Sequence, residues 1–217
     1  MDFGRCVFLH KFLLKFCTFW AKNCNFAILK NQNKSLKKMS ETITIGDRRF
    51  VKYISEKEID AAVGAVAEKV NKEYANDVPI ILIVLNGGIV FGCDLMKRLT
   101  VPCQLGCIRV KSYSGTKTTE EVREVVGLEE DVAGRRVLIV DDIIDTGNTM
   151  EYLVNLFMDK KAKDVKIAAL TYKPESYRKS FPLDFIGLEI PNKFIVGRGM
   201  DYNELGRNLP DIYQVIE

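Results

Sequence analysis

The stretch VLIVDDIIDTGNTM, from Val137 to Met150, holds the residues whose types and spacing are best suited to chemistry. Its apolar start predicts a buried strand, and Asp141 and Asp142 stand directly after the predicted end of that strand at Val140. Two adjacent carboxylates repel each other when both are ionised, unless hydroxyl groups or a cation compensate them. A sugar diol with a bound Mg²⁺ would supply both, so the acidic pair is a candidate site for such a ligand.

The turn that follows the acidic pair has the composition of a phosphate site. Thr146, Gly147, Asn148 and Thr149 offer two hydroxyl groups, a permissive glycine and a run of backbone N–H groups at the start of a predicted helix. Asp145 lies between the candidate diol site and the candidate phosphate site. The same residues could form only a strand, an acidic turn and a capped helix, but their clustering behind one apolar strand favours a functional site.

Other chemistries fit these residues less well. Asp141–Asp145 also match the DDxxD pattern of prenyl diphosphate synthases, but that pattern belongs on a helix, whereas an apolar strand precedes it here and Gly147 follows. The sequence contains neither a P-loop nor a G-x-G-x-x-G pattern after a predicted strand. Its only histidine is His10, near the N-terminus, which disfavours a zinc enzyme or a histidine-dependent hydrolase.

The elements that must position these residues alternate between strands and helices. Residues 43–53 predict a hairpin around Gly46, and Ser55 with Glu58 form a capping-box pattern that begins a helix ending near Tyr74. Further strands are predicted over 80–85, 104–110, 136–140, 165–171 and 185–187, with helices over 90–99 and 149–160. This alternation predicts an α/β fold with a mainly parallel sheet, whose ligands bind beyond the carboxyl ends of the strands.

Two other loops at that edge of the predicted sheet are candidate functional segments. Gly87 and Gly88 follow the strand that ends at Leu85, and they either let backbone amides approach an anion or simply form a tight turn. Residues 111–120 form a polar connection that is long for its position, which is typical of a lid or of a segment without fixed structure.

The charge distribution separates the N-terminal segment from the rest of the 217-residue chain. Eight of the 32 basic residues but only one of the 29 acidic residues precede Met39, which leaves 24 basic and 28 acidic residues after it. Residues 1–38 are either a targeting peptide or a translated upstream stretch. We favour the second interpretation, because Lys11, Lys15 and Lys22 interrupt the apolar run. We expect residues 1–38 to be disordered or not native, and 39–217 to form one domain.

Cysteine usage and hydropathy predict a cytoplasmic location. No apolar run reaches the roughly 18 to 20 residues of a transmembrane helix. Cys93, Cys103 and Cys107 are odd in number and have no metal-like spacing, so we expect reduced, buried thiols.

From about Ile54 to the C-terminus, the sequence resembles the type I phosphoribosyltransferases, and within them the hypoxanthine and hypoxanthine-guanine members. The motifs that carry the resemblance are VLIVDDIIDTGNTM, Lys111-Ser112-Tyr113, Lys173, Glu189–Phe194, Asp201–Glu204 and Arg207. The resemblance implies a mainly parallel twisted sheet with flanking helices and a small hood built from parts of 39–53 and 180–217. It also implies purine salvage: Mg²⁺-dependent transfer of a 5-phosphoribosyl group from its 1-diphosphate to hypoxanthine or guanine, giving IMP or GMP.

The resemblance also implies a role for each candidate site residue. Asp141 and Asp142 would hold the ribose hydroxyls and, with Asp201, the Mg²⁺ ions, while Asp145 would act as general acid or base at N7 of the purine. The phosphoribosyl diphosphate would bind, besides the acidic pair, to Thr146, Gly147, Asn148, Thr149, Gly87, Gly88 and Arg207. The purine would contact Lys173, Phe194, Ile195 and Asp201, and Ser112 and Tyr113 would lie on a catalytic lid.

Two residues depart from the family pattern, and two alternative functions stay open. Many relatives have lysine at Asn86, and an aromatic or smaller residue at Arg198. A xanthine- or guanine-preferring transferase is one alternative, and an RNA-binding regulator on the same fold is the other. The net negative charge of residues 39–217 disfavours RNA. We expect small-molecule substrates, no nucleic-acid or membrane partner, and a homodimer or homotetramer.

Overall fold

Two β-sheets organise the chain in its computed structural model, which describes residues 42–113, 121–127, 129 and 131–216. The elements in chain order are β1 (Thr42–Ile45), β2 (Arg48–Ile54), α1 (Glu56–Glu73), β3 (Ile80–Leu85), α2 (Ile89–Met96), β4 (Gln104–Tyr113), β5 (Glu121–Val126), β6 (Arg136–Ile144), α3 (Asn148–Asp159), β7 (Asp164–Tyr172), β8 (Phe185–Glu189), β9 (Ile195–Val196) and β10 (Ile212–Ile216).

The larger sheet confirms the predicted fold class. Its strand order is β5-β4-β3-β6-β7-β8, and all neighbours are parallel except β5, which runs antiparallel to β4. The smaller sheet, which we call the hood, has the order β1-β2-β10-β9 and is antiparallel throughout. The hood therefore joins the first described strands to the last ones.

The strand β3 shows why the larger sheet forms. Its sequence IILIVL is buried on both faces, as a central parallel strand requires. Ile81 and Ile83 pack in a cluster with residues of α1 and α2, whereas Ile80 and Leu82 pack in a second cluster with residues of α3. Helices therefore cover both faces of the sheet at its centre.

The helix α1 begins at the predicted capping box. The Ser55 side chain accepts a hydrogen bond from the Glu58 N–H, and the Glu58 carboxylate accepts one from the Ser55 N–H at 2.9 Å. The helix ends at Glu73, one residue before the predicted end. The apolar residues that recur at helical spacing are buried, so the predicted amphipathic helix is confirmed.

The hairpin predicted around Gly46 is also confirmed. Ile45 pairs with Arg48, and Gly46 has a φ of +59°, a left-handed conformation that glycine adopts without steric cost. The strand β2 of this hairpin also pairs with β10. This pairing was not predicted, because most of the chain lies between the two strands. Short apolar segments near the C-terminus give no local sign of that pairing.

The strand β6 is longer than predicted. We expected it to end at Val140, but it continues to Ile144 because Asp141, Ile143 and Ile144 keep their pairing with β7. Backbone pairing thus overrides the low strand propensity of the two aspartates. The strand β5 was not predicted, and it pairs with the far end of β4.

The cysteine prediction was only partly right. Cys93, Cys103 and Cys107 are free, but Cys93 and Cys107 are exposed and Cys103 is only partly buried, where burial raises the pKa of its thiol. Cys93 lies on the outer side of α2. Cys107 faces the opposite side of β4 from the buried Ile108, because successive residues of a strand point to opposite faces. Local apolar sequence therefore did not reveal which face of each element is covered.

Several predictions concern residues outside the described part of the chain. The basic segment 1–38 lies outside it, as do residues 114–120 of the predicted lid and the side chains of Lys111, Ser112 and Tyr113. From Thr42 to Glu217 the chain forms one compact unit. None of the helices that the structure describes is long and apolar enough to cross a membrane.

Candidate active site

The buried acidic pair lies inside β6 at the carboxyl edge of the larger sheet. Asp141 and Asp142 are both buried, and the Asp142 N–H donates a hydrogen bond of 2.9 Å to the Asp141 carboxylate. Burial and the neighbouring Asp142 carboxylate raise the pKa of Asp141 well above its usual range. Burial also raises the pKa of Asp142, against the opposing positive charge of Arg207. The pair thus lies in a place that favours a cationic or hydroxylic ligand.

The acids lie on a strand, which rules out the helix geometry of the DDxxD interpretation. Asp141 pairs in register with Ala169 of β7, and the Thr171 hydroxyl donates a hydrogen bond of 3.0 Å to the Asp142 carbonyl oxygen. Thr171 was not predicted as a site residue. Its only sequence signal was its position at the end of an apolar strand.

The Gly87–Gly88 turn packs directly against the acidic pair. A Cβ atom at Gly87 would overlap the Asp142 carboxylate, and one at Gly88 would lie 2.6 Å from the Val84 carbonyl oxygen. The peptide bond between Leu85 and Asn86 is cis. Both positions therefore require glycine for close packing, and the anion-binding role of the turn stays a prediction.

The turn after Asp145 forms the N-terminus of α3. Gly147 is the N-cap with a φ of +87°, and α3 begins at Asn148, one residue before the predicted start. A Cβ atom at Gly147 would lie 2.6 Å from the Tyr177 ring and 2.8 Å from the Lys179 side chain. Both conformation and space thus require glycine, and the first amides of α3 follow it directly. Such N–H groups and the hydroxyls of Thr146 and Thr149 can hold a phosphate.

Asp145 and Lys173 lie side by side at the ends of neighbouring strands. Their side chains form an ion pair of 2.7 Å between Nζ and Oδ2. Lys173 is only 7% exposed, whereas the Asp145 side chain is about half-exposed. The Lys173 N–H also donates to the Ile144 carbonyl oxygen at 3.0 Å, which continues the β6–β7 pairing. The sequence predicted both residues, but not that they contact each other.

Phe194 and Ile195 lie in the hood. The Phe194 ring is 41% exposed and contacts the rings of Phe50 at 6.4 Å and Tyr202 at 5.9 Å between centroids. Ile195 is buried, and it pairs with Gln214 of β10. Tyr202 was not predicted, although it directly follows Asp201. Two aromatic residues thus contact Phe194, while the residue stays exposed enough to meet a ligand.

Residues 197–207, which we call the covering loop, lie over the Gly87 turn. A Cβ atom at Gly199 would overlap the Gly87 carbonyl oxygen, so the two backbones are in close contact. Arg207 forms an ion pair of 2.6 Å with Asp201 and donates to the Gly199 carbonyl oxygen at 2.7 Å. The covering loop therefore brings Asp201 and Arg207 to the turn beside the acidic pair.

Ser112 and Tyr113 are placed only by their backbone. Ser112 pairs with Val122, and Tyr113 pairs with Glu121 at the end of the β4–β5 ribbon. Their predicted catalytic role stays a prediction.

Comparisons with known proteins find relatives over most of the described chain. The family model of the phosphoribosyl transferase domain matches residues 54–203. A hypoxanthine-guanine phosphoribosyltransferase of Bacillus subtilis (strain 168) is 40% identical over 160 residues, covering 73% of this chain and 89% of that relative. One from Streptococcus pyogenes serotype M3 is 38% identical over 157 residues, covering 72% and 87%. A hypoxanthine phosphoribosyltransferase structure from Staphylococcus aureus superposes with a TM-score of 0.72 at 30% identity, covering 76% and 90%.

Proposed function

This chain belongs to the phosphoribosyltransferase family, among the hypoxanthine-guanine phosphoribosyltransferases, and on that premise we propose how its residues divide the reaction between them. It is an enzyme of purine salvage that transfers the 5-phosphoribosyl group of 5-phosphoribosyl-1-diphosphate to hypoxanthine. The products are IMP and diphosphate. We propose guanine as a second substrate, because the relatives named above carry it in their names.

The observation that carries the proposed assignment is the Asp145–Lys173 pair beside the acidic pair. The N7 and 6-oxo groups of hypoxanthine are neighbours on one edge of the ring. A carboxylate and an ammonium side by side match that edge. Lys173 would donate a hydrogen bond to the 6-oxo oxygen, and Asp145 would act as general acid or base at N7. Phe194 would stack on the ring, Asp201 would lie near it, and the backbone at Ile195 would contact its edge.

The phosphoribosyl donor would occupy the strand ends next to this purine position. Asp141 and Asp142 would bind the ribose hydroxyls, and the turn from Thr146 to Thr149 would bind the 5′-phosphate. Gly87, Gly88 and Arg207 would hold the diphosphate. The bond from C1 of the ribose to the diphosphate oxygen breaks while N9 of the purine bonds to C1, so positive charge develops on the ribose. A site that orients both reactants and excludes water accelerates such a step.

We propose Mg²⁺ as the cofactor. The fit rests on the two buried carboxylates, because burial raises the pKa of both and a nearby cation would favour their ionised forms. Asp141 and Asp142 would hold the ion together with the ribose hydroxyls, and Asp201 would help to hold a second one. When bound, Mg²⁺ neutralises charge on the departing diphosphate. Among the described residues, no three or more His, Cys, Asp or Glu side chains gather into a metal site, so we propose that substrate oxygens complete the coordination.

We propose that residues 39–217 are sufficient for the activity, with a lid that includes Ser112 and Tyr113 closing over the reactants. We further propose a cytoplasmic location and a homodimer or homotetramer. Sedimentation of the purified protein tests the oligomeric state.

A purine panel tests the function and the division of the chain together. Hypoxanthine, guanine, xanthine and adenine are each supplied with 5-phosphoribosyl-1-diphosphate and Mg²⁺, for the full chain and for a chain that begins at Met39. We expect both to convert hypoxanthine to IMP, and an excess of EDTA to abolish the conversion. No turnover of any purine would overturn the proposed function. Activity of the full chain alone would overturn only the division at Met39.

A further inference from the structure

Arg198 connects the covering loop to the two helices below it. One guanidinium nitrogen lies 2.7 Å from Asp60 of α1, and the other lies 3.3 Å from Asp94 of α2. The Arg198 side chain is 12% exposed and that of Asp94 is 16% exposed. A planar guanidinium can bridge two carboxylates in this way, whereas an ammonium group cannot reproduce the fork. Arg198 therefore links the covering loop to α1 and α2 and is largely shielded from solvent.

One of the two helices that Arg198 reaches, α2, begins at the Gly87–Gly88 turn. The helix α2 has Gly88 as its N-cap and runs to Met96. On the other side, Gly199 follows Arg198 directly and lies against the Gly87 carbonyl oxygen. Arg198 thus links the covering loop, which contains Gly199, to α2, which begins beside Gly87.

The local backbone supports a fixed position for Arg198. Gly197, Arg198 and Gly199 all have positive φ values, of 106°, 51° and 104°. The Arg198 N–H donates to the Leu209 carbonyl oxygen, and the Gly199 N–H donates to the Arg207 carbonyl oxygen, each at 3.0 Å. The Arg198 Nε is buried and finds no hydrogen-bond partner among the described residues. Arg198 is thus held by one backbone hydrogen bond and two ion pairs in a conformation that residues other than glycine seldom adopt.

We propose that Arg198 is a positioning residue for phosphoribosyl diphosphate binding. It holds the covering loop, and with it Asp201 and Arg207, at the distance from the Gly87–Gly88 turn that the diphosphate requires. The purine side depends on it less, because Phe194 also contacts Phe50 of β2 and Ile195 pairs with Gln214 of β10, and both partners lie outside the covering loop. The proposal rests on the proposed function for the identity of the ligand.

Steady-state kinetics on the full chain test the proposal, with each substrate varied separately. We expect Arg198→Ala to raise the KM for 5-phosphoribosyl-1-diphosphate by about tenfold, since small displacements of binding groups have effects of this size or more. The KM for hypoxanthine should rise by a clearly smaller factor, because only Asp201 and Tyr202 of the covering loop lie on the purine side. Arg198→Lys should restore part of the affinity. Asp94→Asn, which keeps the arginine but removes its partner's charge, should shift the same KM in the same direction.

Arg98→Ala is the matched control. Arg98 lies 3.6 Å from Asp60 and donates to the Asp94 carbonyl oxygen at 2.8 Å, but it is not part of the covering loop. We expect it to lower the melting temperature and to leave both KM values unchanged. An unchanged donor KM in Arg198→Ala, or an equal rise in Arg98→Ala, would overturn the proposal. If Arg198→Ala does not fold, Asp94→Asn decides in the same way. If the wild-type chain turns over no purine, the proposed function fails, and calorimetric binding of the donor still tests Arg198.

Discussion

The two sides of the active site are built in different ways. The proposed donor side consists of the Gly87–Gly88 turn, the acidic pair and the turn at Gly147, which lie at or just after the ends of the neighbouring parallel strands β3 and β6. The purine side depends on the hood, whose own buried cluster contains only Ile45, Phe50, Val196 and Tyr213. Phe194 is 41% exposed there, whereas Asp141 and Asp142 are buried. The acidic pair is thus enclosed by protein, whereas Phe194 is open to solvent, and we expect Phe194 to adjust more readily to a ligand.

Asp145 lies between the two sides, so its replacement should have the largest effect. We expect Asp145→Ala to lower kcat by about 10² to 10⁴-fold, the range that a general acid or base contributes. The KM for 5-phosphoribosyl-1-diphosphate should change far less, because the donor contacts are on other residues. Steady-state kinetics with both substrates measure the two effects, and Asp145→Asn should lower kcat similarly. A loss confined to donor affinity would contradict the proposed role.

A substitution at Gly87 tests whether donor binding requires the present position of the acidic pair. A methyl group there would overlap the Asp142 carboxylate, so Gly87→Ala should raise the donor KM by about 100-fold, as expected for a displacement on the order of 1 Å. Gly64→Ala in α1 is the control, since a Cβ atom there contacts nothing within 4 Å. That change should stabilise the protein by about 0.5 to 1 kcal/mol. An unchanged donor KM in Gly87→Ala would show that the acidic pair can move.

Phe194 tests the purine side by itself. Loss of a stacking ring costs about 1 to 3 kcal/mol, so Phe194→Ala should raise the KM for hypoxanthine by roughly 5- to 100-fold. The donor KM should be unaffected, and Phe194→Tyr should retain most of the purine affinity. Kinetics with hypoxanthine and guanine provide the measurement. An equal loss for donor and purine would mean that the two sides are not independent.

Asp211 lies where the hood meets α1, and its contribution to the free energy of unfolding should depend on pH. This is the smallest of the expected effects. Burial alone would raise the pKa of Asp211, but hydrogen bonds from Lys52 and from the Glu56 N–H outweigh it and leave the pKa below its usual range. Because the pKa is lower in the folded protein, the ionised Asp211 stabilises it above about pH 4, and this contribution is lost as the pH falls through the folded pKa. Asp211→Asn should therefore cost about 1 kcal/mol at pH 7.

Urea denaturation between pH 7 and pH 3 measures this effect. The wild-type chain should lose more free energy of unfolding than Asp211→Asn over that interval, and the two curves should approach each other at low pH. Parallel curves over the whole interval would exclude Asp211 as the source of the pH dependence.

The sequence by itself determined the part of the site in which neighbours in the chain are neighbours in space. The strand, the acidic pair, Asp145 and the helix N-terminus lie within Val137–Met150, and their order could be predicted from hydrophobic period and turn residues. The capping box of α1 and the hairpin at Gly46 were predictable for the same reason, since both depend on contacts within a few residues.

Only the tertiary structure decided which distant residues meet. It placed Lys173 against Asp145, packed Asp142 on Gly87, and directed Arg198 to Asp60 and Asp94. It also extended β6 through two aspartates and left Cys93 and Cys107 exposed, against prediction. These outcomes depend on strand pairing and on which faces are covered. Both are set by the packing of the whole chain, because local periodicity shows which side of a helix or strand is apolar without showing what packs against that side.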